Sequence, residues 1–111
     1  MVFKPRLNNR EIKSLAKEYR QVLEEQKTKV YKIILFGSYA KKSFRDWSDV
    51  DFLVVSSNFG LKNSFDEQVE ANVIAKKISP LIEIHPISIK EYNKPISAWM
   101  IEAKQYGKEL I

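Results

Sequence analysis

The stretch LFGSYAKKSFRDWSDVDFLVV, residues 35–55, constrains the fold more than any other part of the chain. Val30–Gly37 reads as a strand that becomes fully apolar at its end. Asp49–Ser56 reads as a second strand, apolar on both faces after its first residues and so suited to burial on both. Between them, Ser38–Lys42 has the size of a short helix, and Arg45–Ser48 is polar and turn-like. Only ten residues separate Ser38 from Asp49. So short a connection, with both of its ends meeting one ligand, brings the C-terminal end of the first strand beside the N-terminal end of the second. The spacing therefore predicts antiparallel neighbours.

The remaining elements follow from periodicity. Asn8 or Asn9 followed by Glu11 resembles a helix N-cap. After it, Ile12, Leu15, Ala16, Tyr19, Val22 and Leu23 recur at helical spacing to about Gln26. Ser57–Asn63 is a loop carrying Gly60. Ser64 with Glu67 fits a capping box, and Phe65, Val69, Asn72, Val73, Ala75 and Ile78 mark a helix that stops before Pro80. Leu81–Ser88 is a third strand whose end Pro86 places at an edge or bulge, because proline cannot donate to the ladder. Ile96, Trp99, Met100, Ala103 and Tyr106 mark a last helix, with Gly107 expected as its C′ residue. The order α-β-α-β-α-β-α predicts an α/β (α+β) layer fold. With 111 residues, the expectation is one domain, 1–111.

Composition removes several function classes. Hydrophobic residues are 44% and charged residues 30%, which argues against disorder. No apolar run approaches the roughly 18 residues a membrane helix needs. MVFKPRLNNR lacks the apolar stretch of a signal peptide, so a cytoplasmic location is expected. With no Cys there is no thiolate nucleophile and no Cys-based zinc site. The net charge of +5 suits a phosphate-bearing ligand, although the basic residues are spread over the whole chain.

The chemistry concentrates where the two strands meet. Glycine admits phosphate oxygens close to the backbone, a helix start offers unpaired N–H groups, and Ser38 adds a hydroxyl donor. Lys41, Lys42 and Arg45 follow within reach of a polyphosphate. In a strand, Asp49 and Asp51 project from one face. Two carboxylates so placed repel each other unless a cation intervenes, and hard oxygen donors beside phosphate favour Mg²⁺. The alternative is that both sit in solvent at a strand end. On the third strand, Leu81, Glu83, His85 and Ile87 share one face. Glu83 is costly to bury in a central strand unless paired or liganding, whereas on an edge strand it faces water. His85, the one histidine, is left outside the catalytic set. Trp47 is expected at the surface and Trp99 in the core.

The run Gly37-Ser38, ten residues, Asp49-Val50-Asp51 resembles the signature of the polymerase-beta-type nucleotidyltransferases. Length and element order resemble the minimal nucleotidyltransferase (MNT) branch, many of whose members are antitoxins paired with a HEPN ribonuclease toxin. The resemblance implies a polymerase-beta-like fold, a small mixed sheet packed against helices. It implies that Gly37 and Ser38, with Lys41 and Lys42 nearby, hold a nucleoside triphosphate. It further implies that Asp49 and Asp51, with Glu83 as third carboxylate, bind Mg²⁺ and form the catalytic set. Two positions depart from the usual G-S-x-A-x-G pattern: Tyr39 stands at a frequent Arg and Lys42 at a frequent Gly. A chain this short has no residues left for an acceptor-binding domain. The resemblance therefore implies transfer of AMP from ATP to a hydroxyl of a HEPN-type toxin, a tyrosine above all, within a hetero-oligomer.

Two other readings compete, a non-catalytic antitoxin that neutralises its partner by stoichiometric binding and a basic nucleic-acid-binding module. Clustered Asp49, Asp51 and Glu83 weigh against both. A pure binder has no need of them, and they repel nucleic-acid phosphate without a metal.

Overall fold

The computed structural model describes residues 5–111. Helix α1, Asn9–Glu25, opens with a reciprocal capping box in which the Asn8 side chain accepts from the Glu11 N–H and Glu11 accepts from the Asn8 N–H. Its buried residues Ile12, Ala16, Tyr19 and Leu23 fall on one stripe. Strand β1, Lys32–Phe36, leads directly into α2, Gly37–Lys41, and the chain returns as β2, Val50–Ser56. Helix α3, Ser64–Ile78, crosses to β3, Ile82–Ser88; α4, Ile89–Asn93, α5, Ala98–Tyr106, and β4, Lys108–Glu109, complete the order.

The sheet runs β3-β2-β1-β4. β1 pairs antiparallel with β2, in a register that sets Phe36 opposite Asp51, as the short connection required. β2 pairs parallel with β3, with Asp51 opposite Glu83, and α3 is the crossover that a parallel pair needs. One face of the sheet packs Ile33, Leu35, Val50, Phe52, Val54, Ile82 and Ile84 against α1 and α3. The other packs Ile34, Leu53, Val55 and Ile87 against Met100 and Ala103 of α5. β2 is therefore covered on both sides, which explains its unbroken apolar run. The Tyr19 hydroxyl donates to the Ala71 carbonyl at 3.1 Å and ties α1 to α3. Among the described residues, no helix is long and apolar enough to cross a membrane.

Several local expectations are corrected. β2 begins at Val50, so Asp49 lies ahead of the strand. The α3 cap is Asn63, whose side chain accepts from the N–H groups of Phe65 and Asp66. Ser64 is already helical, and Glu67 turns away to accept from the Gly60 N–H at 2.9 Å. α3 buries Glu67, Ala71, Ala75 and Ile78, leaving Phe65, Val69 and Val73, which marked the helix in the sequence, on its outer face. β3 is an edge strand, consistent with Pro86. Gly107 is extended (φ −69°, ψ 156°), not left-handed. It is glycine for closeness, because a Cβ there would collide with the Ala103 carbonyl and come within 2.5 Å of Ile34. Trp99 is 42% exposed, and Trp47 is exposed as expected. α4 was signalled by Ser88 and Glu91, which form its reciprocal capping box, a signal the sequence reading passed over; the two-residue β4 carried none.

Candidate active site

The end of β1 and the start of β2 form a corner built around Gly37. Its φ of +72° is in the left-handed region. A Cβ at this position would lie on the Asp51 carboxylate, so two independent demands select glycine. The α2 helix starts without a side-chain cap, which leaves the first N–H groups at Gly37 and Ser38 open. Asp51 is half-buried at the head of β2, and its Oδ1 lies 3.2 Å from His85 Nε2. A carboxylate only accepts, so the imidazole donates here. The His85 ring is held edge-on to Phe36 (centroids 4.9 Å apart) and tilted against Trp99 (5.6 Å). Sequence reasoning left His85 out. Its shared face with Glu83 was visible, but its meeting with Asp51 depends on the parallel β2–β3 register.

The other expected site residues divide. Glu83 stands opposite Asp51 in that register, with its Oε2 3.5 Å from Lys76 Nζ. Lys76 also donates to the carbonyls of Ile82 (2.5 Å) and Pro80 (3.1 Å), which anchors the ammonium beside Glu83. As β3 is an edge strand, Glu83 is half-exposed and does not carry the central-strand burial cost. Asp49 is exposed at the rim, and among the described residues it makes no hydrogen bond or ion pair. Also among the described residues, no three His, Asp or Glu side chains stand close enough together to hold a metal ion. The structure thus brings Gly37, Ser38, Asp51 and Glu83 to one corner and leaves Asp49 at its edge.

The basic residues are less concentrated. Lys41 is ion-paired with Glu102 of α5, across a cleft of about 170 Å³ that Phe36, Gly37, Ala40 and Trp99 also line. Lys42 ends α2 in the left-handed conformation, φ 58°. That backbone explains why a glycine is at home in this position; a lysine adopts it at a cost of about 1–2 kcal/mol. Arg45 is exposed, and its N–H donates to Ser48 Oγ. Tyr39 is buried; its hydroxyl accepts from the Leu7 N–H and its ring stacks on Phe44 at 4.2 Å. It braces the turn from within.

A family model for the nucleotidyltransferase domain matches residues 16–106, which include the whole corner. The chain belongs to the polymerase-beta-type nucleotidyltransferases. A relative in Methanocaldococcus jannaschii, provisionally assigned as a protein adenylyltransferase, is 41% identical over 44 residues, 40% of this chain and 44% of the relative. The match thus spans less than half of that relative's length. A crystal structure from Sulfolobus solfataricus, provisionally assigned as a nucleotidyltransferase, superposes with a TM-score of 0.56 at 21% identity, covering 75% of this chain and 72% of that one. This likeness supports the fold. The nucleotidyltransferase assignment agrees with the Gly37–Asp51 contact, in which a glycine at the start of α2 lies directly against a carboxylate held by His85.

Proposed function

We propose that the protein is a Mg²⁺-dependent nucleotidyltransferase that moves AMP from ATP to a tyrosine hydroxyl of a HEPN-type partner toxin and so acts as its cytoplasmic antitoxin. The observation that carries this reading is the Asp51 carboxylate fitted against Gly37, with Glu83 beside it in register. The donor set is all oxygen, and the missing Cβ at Gly37 lets the Asp51 carboxylate lie directly against the backbone at the start of α2; both features fit a hard divalent cation next to phosphate. Asp51 and Glu83, with Asp49 from the rim, would hold that cation, whose charge offsets the triphosphate and lowers the pKa of the acceptor hydroxyl.

The chain's own residues do the positioning. In the reaction the acceptor hydroxyl gives up its proton to solvent, its oxygen forms a bond to the α-phosphorus, the bond to the bridging oxygen breaks, and pyrophosphate leaves. Open N–H groups at Gly37 and Ser38 and the Ser38 hydroxyl donate to the departing pyrophosphate. Lys42, exposed just after α2, supplies positive charge; Lys41 does so once it parts from Glu102. His85 fixes the rotamer of Asp51, and Phe36 and Trp99 fix His85. Catalysis here is mostly orientation and electrostatics.

The test uses the protein encoded by a neighbouring reading frame, purified separately and mixed with substoichiometric amounts of this chain, ATP and Mg²⁺. Transfer gives complete, lasting loss of the partner's ribonuclease activity and a mass gain of one or more AMP units, absent with Asp49→Ala. Stoichiometric, ATP-independent protection without mass change would overturn catalysis and leave a binding antitoxin.

A further inference from the structure

The carboxylate on β3 has a fixed positive neighbour. Val50, Phe52, Ile82 and Ile84 face α3, so Asp51 and Glu83, which alternate with them, project from the other face of the sheet. Lys76 of α3 therefore reaches Glu83 by passing round the edge of β3. Its Nζ lies 2.5 Å from the Ile82 carbonyl, 3.1 Å from the Pro80 carbonyl and 3.5 Å from Glu83 Oε2. Three oxygens thus face an ammonium that has three N–H donors, and two of them belong to the backbone. Asn72, one turn earlier on the same side of α3, is fastened to the same edge. Its Oδ1 accepts from the Ile84 N–H at 2.8 Å and its Nδ2 donates to the Ile84 carbonyl at 3.0 Å. The helix and the strand backbone together set the place of the ammonium, whatever Glu83 does.

This placement limits what Glu83 can hold. Oε2 is committed to Lys76, and Oε1 makes no hydrogen bond among the described residues. One free oxygen is enough to ligate a cation that Asp51 and Asp49 also hold. It is not enough to bridge two cations about 3.5–4 Å apart, as the carboxylates of two-metal sites do. At the roughly 2.1 Å of a Mg–oxygen bond, a cation on Oε2 would stand less than about 6 Å from Lys76 Nζ. The ammonium could retreat from that repulsion only by giving up its two backbone hydrogen bonds.

Resting on the nucleotidyltransferase reading above, we propose that Lys76 is a positioning residue that stands in for a second cation: it holds Glu83 by one oxygen, and the corner takes one divalent cation per chain rather than two.

Mn²⁺ in place of Mg²⁺ makes the count measurable without turnover. Native mass spectrometry counts the ions in the complex with an ATP analogue whose α,β-bridge cannot be cleaved, and electron paramagnetic resonance shows whether two ions share a ligand through exchange coupling. Wild-type protein and Lys76→Arg, which keeps the charge, should each hold one uncoupled Mn²⁺. Lys76→Met, folded by circular dichroism because the side chain is half-exposed, should hold two coupled ions. Adding Glu83→Gln to Lys76→Met should return the count to one. Two ions in wild-type protein or in Lys76→Arg, one ion in Lys76→Met, or a second ion that survives Glu83→Gln would each overturn the proposal and leave the nucleotidyltransferase reading standing. A wild-type complex that holds no Mn²⁺ would overturn both.

Discussion

Replacing Gly37 with alanine makes two demands that the corner cannot meet together. The φ of +72° is unfavourable for any residue with a Cβ, by about 1–2 kcal/mol. The new Cβ also falls on the Asp51 carboxylate, which must swing away and give up its hydrogen bond to His85, about 1 kcal/mol more. The expected loss is roughly 2–3 kcal/mol, a drop of roughly 10–15 °C in Tm for a domain of this size. Gly60→Ala is the control. Gly60 is also left-handed, at φ +87°, but its Cβ would meet only Ser88, at 3.1 Å from the Cβ there. Denaturant unfolding and nucleotidyl transfer are then compared for both variants, with rates corrected to the folded fraction. Gly37→Ala should lose on the order of a hundredfold in rate, since a carboxylate displaced by about 1 Å loses its catalytic alignment. Gly60→Ala should lose stability and keep its rate. Gly37→Ala with wild-type stability, or with rate loss matched by Gly60→Ala, would refute the reasoning.

Three further outcomes are expected. Asn63→Ala should cost about 0.5–2 kcal/mol in denaturant unfolding, with Ser64→Ala close to neutral, because the cap is Asn63. Burial pushes the Tyr19 phenol above its ordinary 10.0, so the folded state keeps a proton that the unfolded chain releases. That contribution is complete below pH 10 and is lost as pH rises further, at about 1.4 kcal/mol per pH unit; Tyr19→Phe, costing about 1 kcal/mol at neutrality, should flatten the alkaline slope by that amount. Asp51→Asn keeps an acceptor for His85 and removes a charge, so its ligand-free Tm should stay level or rise; a large fall would make Asp51 a structural residue.

Legibility followed sequence distance. The Gly37–Asp51 corner could be read because both of its halves lie in one stretch: two apolar runs with a short polar insert leave little topological choice. Asp49 was placed in the strand because a carboxylate next to Val50 carries no mark of where pairing begins. His85 was missed because its contact with Asp51 is set by the β2–β3 register across 34 positions of sequence. α3 was legible as a helix, but the residues that marked it fall on both of its faces. Its inner face is built partly from Ala71, Ala75 and Glu67, which pattern weakly, while its outer face carries Phe65, Val69 and Val73. Gly107 read as a left-handed cap because glycine after a helix so often is one; here the close approach of Ala103 and Ile34 decides it. Lys41 was assigned to phosphate before Glu102 of α5 could be known to reach it.

The central claim is that the Gly37–Asp51 corner binds a nucleoside triphosphate through a divalent cation. Calorimetric titration with ATP, with Mg²⁺ and with the cation chelated, tests it most directly when wild-type protein and folded Asp51→Asn are measured side by side. The account requires binding to wild-type protein that depends on Mg²⁺ and is lost in Asp51→Asn. Equal affinity with and without Mg²⁺, or undiminished Mg²⁺-dependent binding by Asp51→Asn, would contradict it.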